Sequence, residues 1–316
     1  MIMKIAILGL GFMGEKHKKV LSGFSEIEIS ALIDSKYKTQ EQFYHSLEDF
    51  LEAKPLVDLV IISTPNFLHY ENAITLLENG YNVLIDKPFC FTNQEFQHLN
   101  SICKTHHRKA FLVLQNRFSS VANLLQNTFH EKLGKIYNIQ FNAFWNRDHN
   151  YYQKESWKGK KLLDGGILFS QFYHLLDLIF LFVEEDLEIK FKDFSTFRNH
   201  EISEIEDTVI AVLESKKGTK IMLNFTNAVY KKNQETSLNI IAEKGTLKIA
   251  GQYFDEITYQ NIEDIEQDYI LKKNTNEENL HHLYEEIFNN LKNLPNKAIQ
   301  IEDGKRLVNL ISDLYS

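Results

Sequence analysis

Three glycines and one acid carry the first legible chemistry in this chain of 316 residues. Gly9, Gly11 and Gly14 follow the apolar run Met3-Lys4-Ile5-Ala6-Ile7-Leu8 and match G-x-G-x-x-G, with Phe12 and Met13 between the last two. In that pattern the first glycine allows a tight turn, the second lets the backbone approach a pyrophosphate, and the third lets the next helix pack closely on the strand. The phosphates of a dinucleotide then meet a helix N-terminus, where unpaired N–H groups and the helix dipole favour an anion. Asp34 closes a second strand-like run, Glu26 to Asp34, and lies twenty residues beyond Gly14. A carboxylate at that place binds ribose hydroxyls and repels a 2′-phosphate, which predicts NAD rather than NADP. Lys36 and Lys38 are near enough in sequence to soften the preference.

Other candidate groups narrow the class. A net charge of −8 argues against nucleic acid and anionic membranes as partners, and Lys16 to Lys19 reads as a solvated helix face. Cys90 and Cys103 form neither a disulfide framework nor a metal-ligand spacing, which points to a reducing compartment. The pairs His106-His107 and His281-His282 suggest a metal, but adjacent residues point apart and no Cys or acidic cluster completes a site, so no metal is expected. The first apolar stretch ends in the glycine pattern rather than a cleavage site, and no later stretch would span a bilayer; a cytoplasmic protein is expected.

The elements that must position these groups alternate through the first third, as in a parallel sheet covered by helices. A helical stretch around Tyr44 to Ala53 precedes a strand over Val57 to Ser63, broken by Thr64-Pro65-Asn66. His69 to Asn79 has helical spacing and ends at Gly80; Asn82 to Ile85 is a strand delivering Asp86-Lys87-Pro88. Thr92 and Glu95 form a capping-box pattern for a helix through Lys104, and Phe111 to Leu114 is a fifth strand ending in Gln115-Asn116-Arg117-Phe118. Beyond it, Lys135 to Trp145, Thr208 to Glu214, Lys220 to Thr226 and Thr236 to Ile241 read as strands of an antiparallel sheet, interrupted by one long apolar helix over Ile167 to Phe182. Glu277 to Leu294 and Ile301 to Tyr315 read as closing helices. The expected fold is α/β: a doubly wound Rossmann domain over residues 1–118 and an α+β substrate-binding and oligomerisation domain with a large, mostly antiparallel sheet over 119–316, with a closing helix able to pack back on the first domain.

Together, the glycine pattern, Thr64-Pro65-Asn66 with His69, Asp86-Lys87-Pro88, and His174 with Asp177 resemble the glucose-fructose oxidoreductase, inositol dehydrogenase and MocA family. The likeness runs along essentially the whole chain, to Glu243-Lys244-Gly245-Thr246 and Leu314-Tyr315-Ser316. It implies that Asp86-Lys87-Pro88 is the family's Glu-Lys-Pro motif with Asp for Glu, that the bond before Pro88 is cis, and that Lys87 contacts both the nicotinamide side and the reacting hydroxyl. It further implies that Thr64, Pro65, Asn66 and His69 lie along the cofactor, with Asp86, Gln115 and Asn116 also binding it and Arg117 close to the nicotinamide. Gly165-Gly166 followed by Ser170, His174 and Asp177 resembles the family's second motif, its spacings placing the three on one helix face. Ser170 stands where relatives carry Asp or Asn, and hydrogen-bonds a sugar hydroxyl without supplying charge. Trp157-Lys158-Gly159, Asp164-Gly165-Gly166 and Gln171 resemble members acting on sugars or nucleotide sugars; Tyr152 and Trp157 belong to an aromatic-rich stretch able to stack on a sugar ring.

The resulting expectation is an NAD-dependent oxidoreductase with Lys87 and His174 as catalytic residues. His174 suits a general base because its ordinary pKa lies near neutrality. Substrate contacts are expected from Lys87, Arg117, Tyr152, Trp157, Asp164, Ser170, Gln171 and His174. Two other readings stand beside it: an inactive dinucleotide-binding or regulatory protein of the same fold, and redox-neutral glycosidic chemistry with retained NAD. The resemblance also implies a homo-oligomer, dimer or tetramer.

Overall fold

A computed structural model describes residues 2–36, 43–153, 157–198, 201–251, 254, 256–265 and 274–316, without the side chains of 127, 128 and 130. Lys38 lies outside the described residues. Two compact units divide the chain: Met1–Leu114 with Leu280–Val308, and Gln115–Asn279 with Asn309–Ser316. The chain returns to the first unit for Leu280–Val308, within the closing helical stretches, one of which the sequence reading sets back on the first domain.

In the first unit, β1 (Met3–Leu8), β2 (Ile27–Ile33), β3 (Phe43–Tyr44), β4 (Leu59–Ile62), β5 (Val83–Ile85) and β6 (Ala110–Leu112) form one parallel sheet in the order β3-β2-β1-β4-β5-β6. The order runs outward in both directions from β1, the doubly wound arrangement whose switch point lies between β1 and β4. Leu59 to Ile62 and Val83 to Ile85 are apolar throughout and buried, as strands covered on both faces must be. Helices α1 (Phe12–Leu21), α2 (Leu47–Ala53), α3 (His69–Glu78) and α4 (Asn93–His106) supply the cover. The Thr92 hydroxyl accepts the Glu95 N–H while the Glu95 carboxylate accepts the Thr92 N–H, completing the capping box of α4. Cys90 and Cys103 are free and buried.

The second unit is built on a seven-stranded sheet: β7 (Ile136–Phe144), β8 (Leu187–Ser195), β9 (Thr208–Ser215), β10 (Lys220–Thr226), β11 (Glu235–Ala242), β12 (Gly245–Ala250) and β13 (Glu256–Ile262), ordered β13-β12-β11-β7-β10-β9-β8. All neighbours are antiparallel except β7 and β10. One face is apolar, with Ile139, Phe141, Val209, Leu213, Ile221, Phe225, Leu238 and Leu247 all buried. The opposite face leaves Ile210, Met222 and Ile241 exposed.

The long helix expected over Ile167 to Phe182 is two short ones, Ile167–Ser170 and Tyr173–Ile179. The break has a packing cause. Phe172 turns fully inward, its ring 4.9 Å from Trp145 and 4.8 Å from Phe225, and the Gln171 side chain bonds Arg147 and Tyr151 instead of continuing a helix face. Ser170 therefore belongs to a different helix from His174 and Asp177, and the single-face arrangement does not hold.

Candidate functional site

Two glycines of the first loop sit where no side chain would fit. Gly9 has φ +92°, and a Cβ there would stand 2.7 Å from the Ser63 carbonyl oxygen. A Cβ on Gly14 would lie 2.0 Å from the Gly9 oxygen, so only glycine lets α1 start this close to β1. Around Gly11 no atom of the described residues lies within 4 Å of such an atom. Gly11 caps α1, no side-chain hydrogen bond from the described residues closes the helix N-terminus, and Phe12 beside it is 86% exposed. These are the features of an open anion cradle. Asp34 follows β2 with its carboxylate fixed at both oxygens, Oδ2 accepting the Leu10 N–H at 2.7 Å and Oδ1 the Lys36 N–H at 2.8 Å. The same N–H groups leave lone pairs on both oxygens for a ribose diol. This donor and acceptor set fits a dinucleotide.

The Asp86-Lys87-Pro88 turn follows β5, and its Lys87–Pro88 peptide is cis, as the resemblance implies. Lys87 is half-buried. Each flank of the turn is held by a buried imidazole. His69, the first residue of α3, directs Nδ1 at the Pro88 carbonyl (2.8 Å) and Nε2 at the Thr64 carbonyl (2.7 Å), tying the turn to Thr64-Pro65-Asn66. Burial holds the His69 pKa below its ordinary value, against the opposing pull of Asp86 and the two carbonyls. On the other flank, His17 Nε2 stands 3.3 Å from both Asp86 oxygens, and His17 Nδ1 lies 2.7 Å from the Tyr284 hydroxyl. Burial pushes Asp86 upward, but the interaction with His17 outweighs it and leaves the carboxyl below its ordinary value. The sequence reading passed over His17 as part of a solvated face; Lys18 and Lys19 are exposed, but His17 is completely buried. The helical stripe Gly14, His17, Val20, Leu21 is the signal that marks it as inward-facing.

In the second unit, His174 is half-buried on helix Tyr173–Ile179. Asp177, one turn further, makes a two-pronged ion pair with Arg117, Oδ1 to Nη2 at 2.6 Å and Oδ2 to Nε at 2.8 Å. Gln115 and Asn116 are buried on the turn Gln115–Phe118, with Gln115 Nε2 donating to Asn276. Ser170 is buried and donates to the Gly166 carbonyl. Asp164 is 1% exposed and accepts the Gly159 N–H, closing the Trp157-Lys158-Gly159 turn. Gly166 has φ +104°, and a Cβ there would collide with the Tyr315 ring, whose hydroxyl donates to Glu206 and accepts the Leu168 N–H.

Trp145, Tyr151 and Trp157 gather around two cations. The Arg147 guanidinium lies 5.0 Å from the Trp145 ring and 5.2 Å from Tyr151, and the Lys158 ammonium 4.6 Å from Tyr151 and 5.8 Å from Trp157. Gln171 bridges the group, accepting from Arg147 Nε and donating to the Tyr151 hydroxyl, both at 2.6 Å. Tyr152 is 5% exposed, packed beside Gly159. Arg147 had no sequence signal; it became visible only as the centre of the aromatic stretch. His281 and His282 do acquire an acidic partner in Glu285, at 3.8 and 2.8 Å, the single such group among the described residues. Helical spacing brings Glu285 back over both histidines, which the pairwise reading overlooked.

The fold and first site define a dinucleotide-binding protein with an appended antiparallel-sheet unit. Two family models match: the oxidoreductase family, NAD-binding Rossmann fold, of GFO/IDH/MocA over residues 3–114, and the GFO/IDH/MocA C-terminal domain over residues 126–248. The chain belongs to this family. It is 25% identical over 192 residues to the glucose-6-phosphate 3-dehydrogenase of Bacillus subtilis, a match spanning 58% of this chain and 54% of that protein. It is 24% identical over 274 residues to a putative UDP-kanosamine synthase oxidoreductase subunit of Amycolatopsis mediterranei, covering 78% and 74%. The match thus spans about half the length of the first relative and about three quarters of the second. Among solved structures, the WlbA dehydrogenase from Bordetella pertussis in complex with NADH and UDP-GlcNAcA superposes with a TM-score of 0.89 at 24% identity, over 100% of this chain and 96% of that one. Among the described residues no helix is long and apolar enough to cross a membrane.

Proposed function

We propose that this chain is an NAD-dependent oxidoreductase that transfers a hydride between a secondary alcohol carbon of a sugar, sugar acid or nucleotide sugar and a nicotinamide ring. The observation that carries the reading is the cradle at Gly9, Gly11 and Gly14 together with the doubly anchored Asp34 carboxylate. Bound NAD supplies the hydride acceptor, and everything else falls to side chains of this chain. His174 accepts the hydroxyl proton as the hydride leaves, and Lys87 orients that hydroxyl and offsets its developing negative charge. Arg117 acts through its ion pair with Asp177, which fixes the turn carrying Gln115 and Asn116.

The aromatic group at Trp145, Tyr151 and Trp157, with Arg147, Lys158 and Gln171, provides flat apolar faces and cationic edges suited to a sugar ring bearing an anionic substituent. The resolved relative bound to UDP-GlcNAcA and the relative named for UDP-kanosamine synthesis support placing nucleotide sugars in the test set. In this reading the protein is cytoplasmic, and residues 1–118 and 119–316 serve as cofactor and substrate domains. Nicotinamide absorbance followed with inositols, free sugars, sugar phosphates, sugar acids and nucleotide sugars tests it. Turnover with at least one of these substrates is expected; NADH binding without turnover on any of them favours the inactive dinucleotide-binding protein.

A further inference from the structure

A three-membered chain of buried polar groups ends at the turn that carries Lys87, and all of it lies in the first unit. Tyr284, on helix Asn276–Leu291, is fully buried, as is His17 on α1, and Asp86 is 6% exposed. The Tyr284 ring meets the imidazole edge-on, centroids 5.9 Å apart, so packing as well as hydrogen bonding fixes the histidine. Such a group is costly to bury unless every member is satisfied.

Proton accounting gives the chain a direction. An ionised carboxylate only accepts, so the ring nitrogen facing Asp86 must carry the hydrogen; the other nitrogen of a neutral imidazole is then an acceptor, and Tyr284 must donate to it. Burial raises the Tyr284 hydroxyl well above its ordinary pKa, so the donor keeps its proton. The opposite tautomer would set a lone pair against the carboxylate. In the tautomer with its hydrogen on Nε2, His17 accepts from Tyr284 and donates to Asp86. His69, whose Nδ1 lies 2.8 Å from the Pro88 carbonyl, also faces the turn.

We propose that His17 and Tyr284 are positioning residues for Lys87, holding Asp86 as a fixed anion next to it in the turn. The inference rests on the oxidoreductase reading only for its consequence in turnover. Aspartate is a short acid here, and the two equal 3.3 Å contacts from a single nitrogen are what hold its carboxylate symmetrically. Without that donor, desolvation would govern Asp86, its carboxyl would take up a proton, and the Lys87 ammonium would lose a neighbouring negative charge. The sign follows: removing His17 lowers the pKa of Lys87.

Competitive acetylation with acetic anhydride across a pH series, read by mass spectrometry on the Lys87 peptide of the purified full chain, measures that quantity without any substrate. His17→Leu is expected to lower the Lys87 value by about one unit. Tyr284→Phe should lower it less, and His17→Gln, which returns an N–H near the same place, should restore most of it. NADH affinity should stay within about threefold in all three, because none of these side chains is part of the glycine cradle. An unchanged Lys87 profile in cooperatively melting His17→Leu overturns the proposal; where that variant does not fold, an unchanged profile in Tyr284→Phe overturns it. With an accepted substrate, kcat should fall about tenfold to a hundredfold in His17→Leu with KM nearly constant, and recover in His17→Gln. A parent protein that turns over no substrate refutes the oxidoreductase reading, and the labelling result still decides the role of His17.

Discussion

At the scale of single residues, Asp34 makes the sharpest statement about the cofactor. Its two oxygens are already committed to the Leu10 and Lys36 backbone N–H groups, so the carboxylate is fixed where it stands rather than free to swing from a 2′-phosphate. NADH should therefore bind more tightly than NADPH, and Asp34→Ser, which removes the charge, should narrow the gap between their dissociation constants. Tighter NADPH binding by the parent would reverse the assignment. Lys87 and His174 are expected to matter for turnover rather than for cofactor binding. Lys87→Met and His174→Asn should each keep near-native NADH affinity while reducing kcat by about 10²–10⁴-fold. Near-normal turnover in His174→Asn would move the base role to Lys87.

At the scale of elements, the parts of the first unit that could be read from sequence are those where backbone chemistry leaves little choice. The glycines of the first loop announced a turn and a close helix–strand contact, and Gly9 and Gly14 each lie against the backbone those two roles bring close. Thr92 and Glu95 announced a helix start and made both bonds of the box. What escaped reading was long-range. The parallel pairing of β7 with β10 inside an otherwise antiparallel sheet depends on partners some 80 residues apart, as the register Lys220↔Asn138 shows, and strands such as β13 are half polar. The helix break at Gln171-Phe172 is likewise set by Trp145, Phe225 and Arg147, none of them local. Tyr284 lies 267 residues from its partner His17, and no motif links the two. The glycine division of labour is itself testable. Gly14→Ala should destabilise the protein by about 1–3 kcal/mol or more, since its methyl meets a backbone oxygen that cannot move aside. Gly11→Ala, with open space and an ordinary φ of −71°, should melt as the parent does and instead bind NADH more weakly. Equal melting temperatures for the two variants would refute the distinction.

At the scale of the whole molecule, the unaccounted surface is the outer face of the seven-stranded sheet. Ile210 on β9 at 42%, Met222 on β10 at 36% and Ile241 on β11 at 42% exposure all lie on this outer face. On β9 and β10 the register sets Ile210 opposite Asn224 and Met222 opposite Val212, so the apolar side chains fall on neighbouring strands, while β7 contributes Gln140 beside Met222 and Asn142 beside Asn224. A face that mixes apolar and polar side chains in this way is compatible with burial against another copy of the same chain. The proposed assembly is a homo-oligomer joined through this face, and a two-fold arrangement would bring the same strands of two copies together. Replacing Ile210 and Met222 together by Glu would place four charges in such a two-fold interface without touching the buried face, on which Val209, Ala211, Ile221 and Leu223 sit. Light scattering should report a dimer or tetramer for the parent and a smaller species for the double variant, with cooperative melting retained. A parent that is monomeric at working concentration, or a double variant that keeps the parent's mass, would rule this face out as the interface.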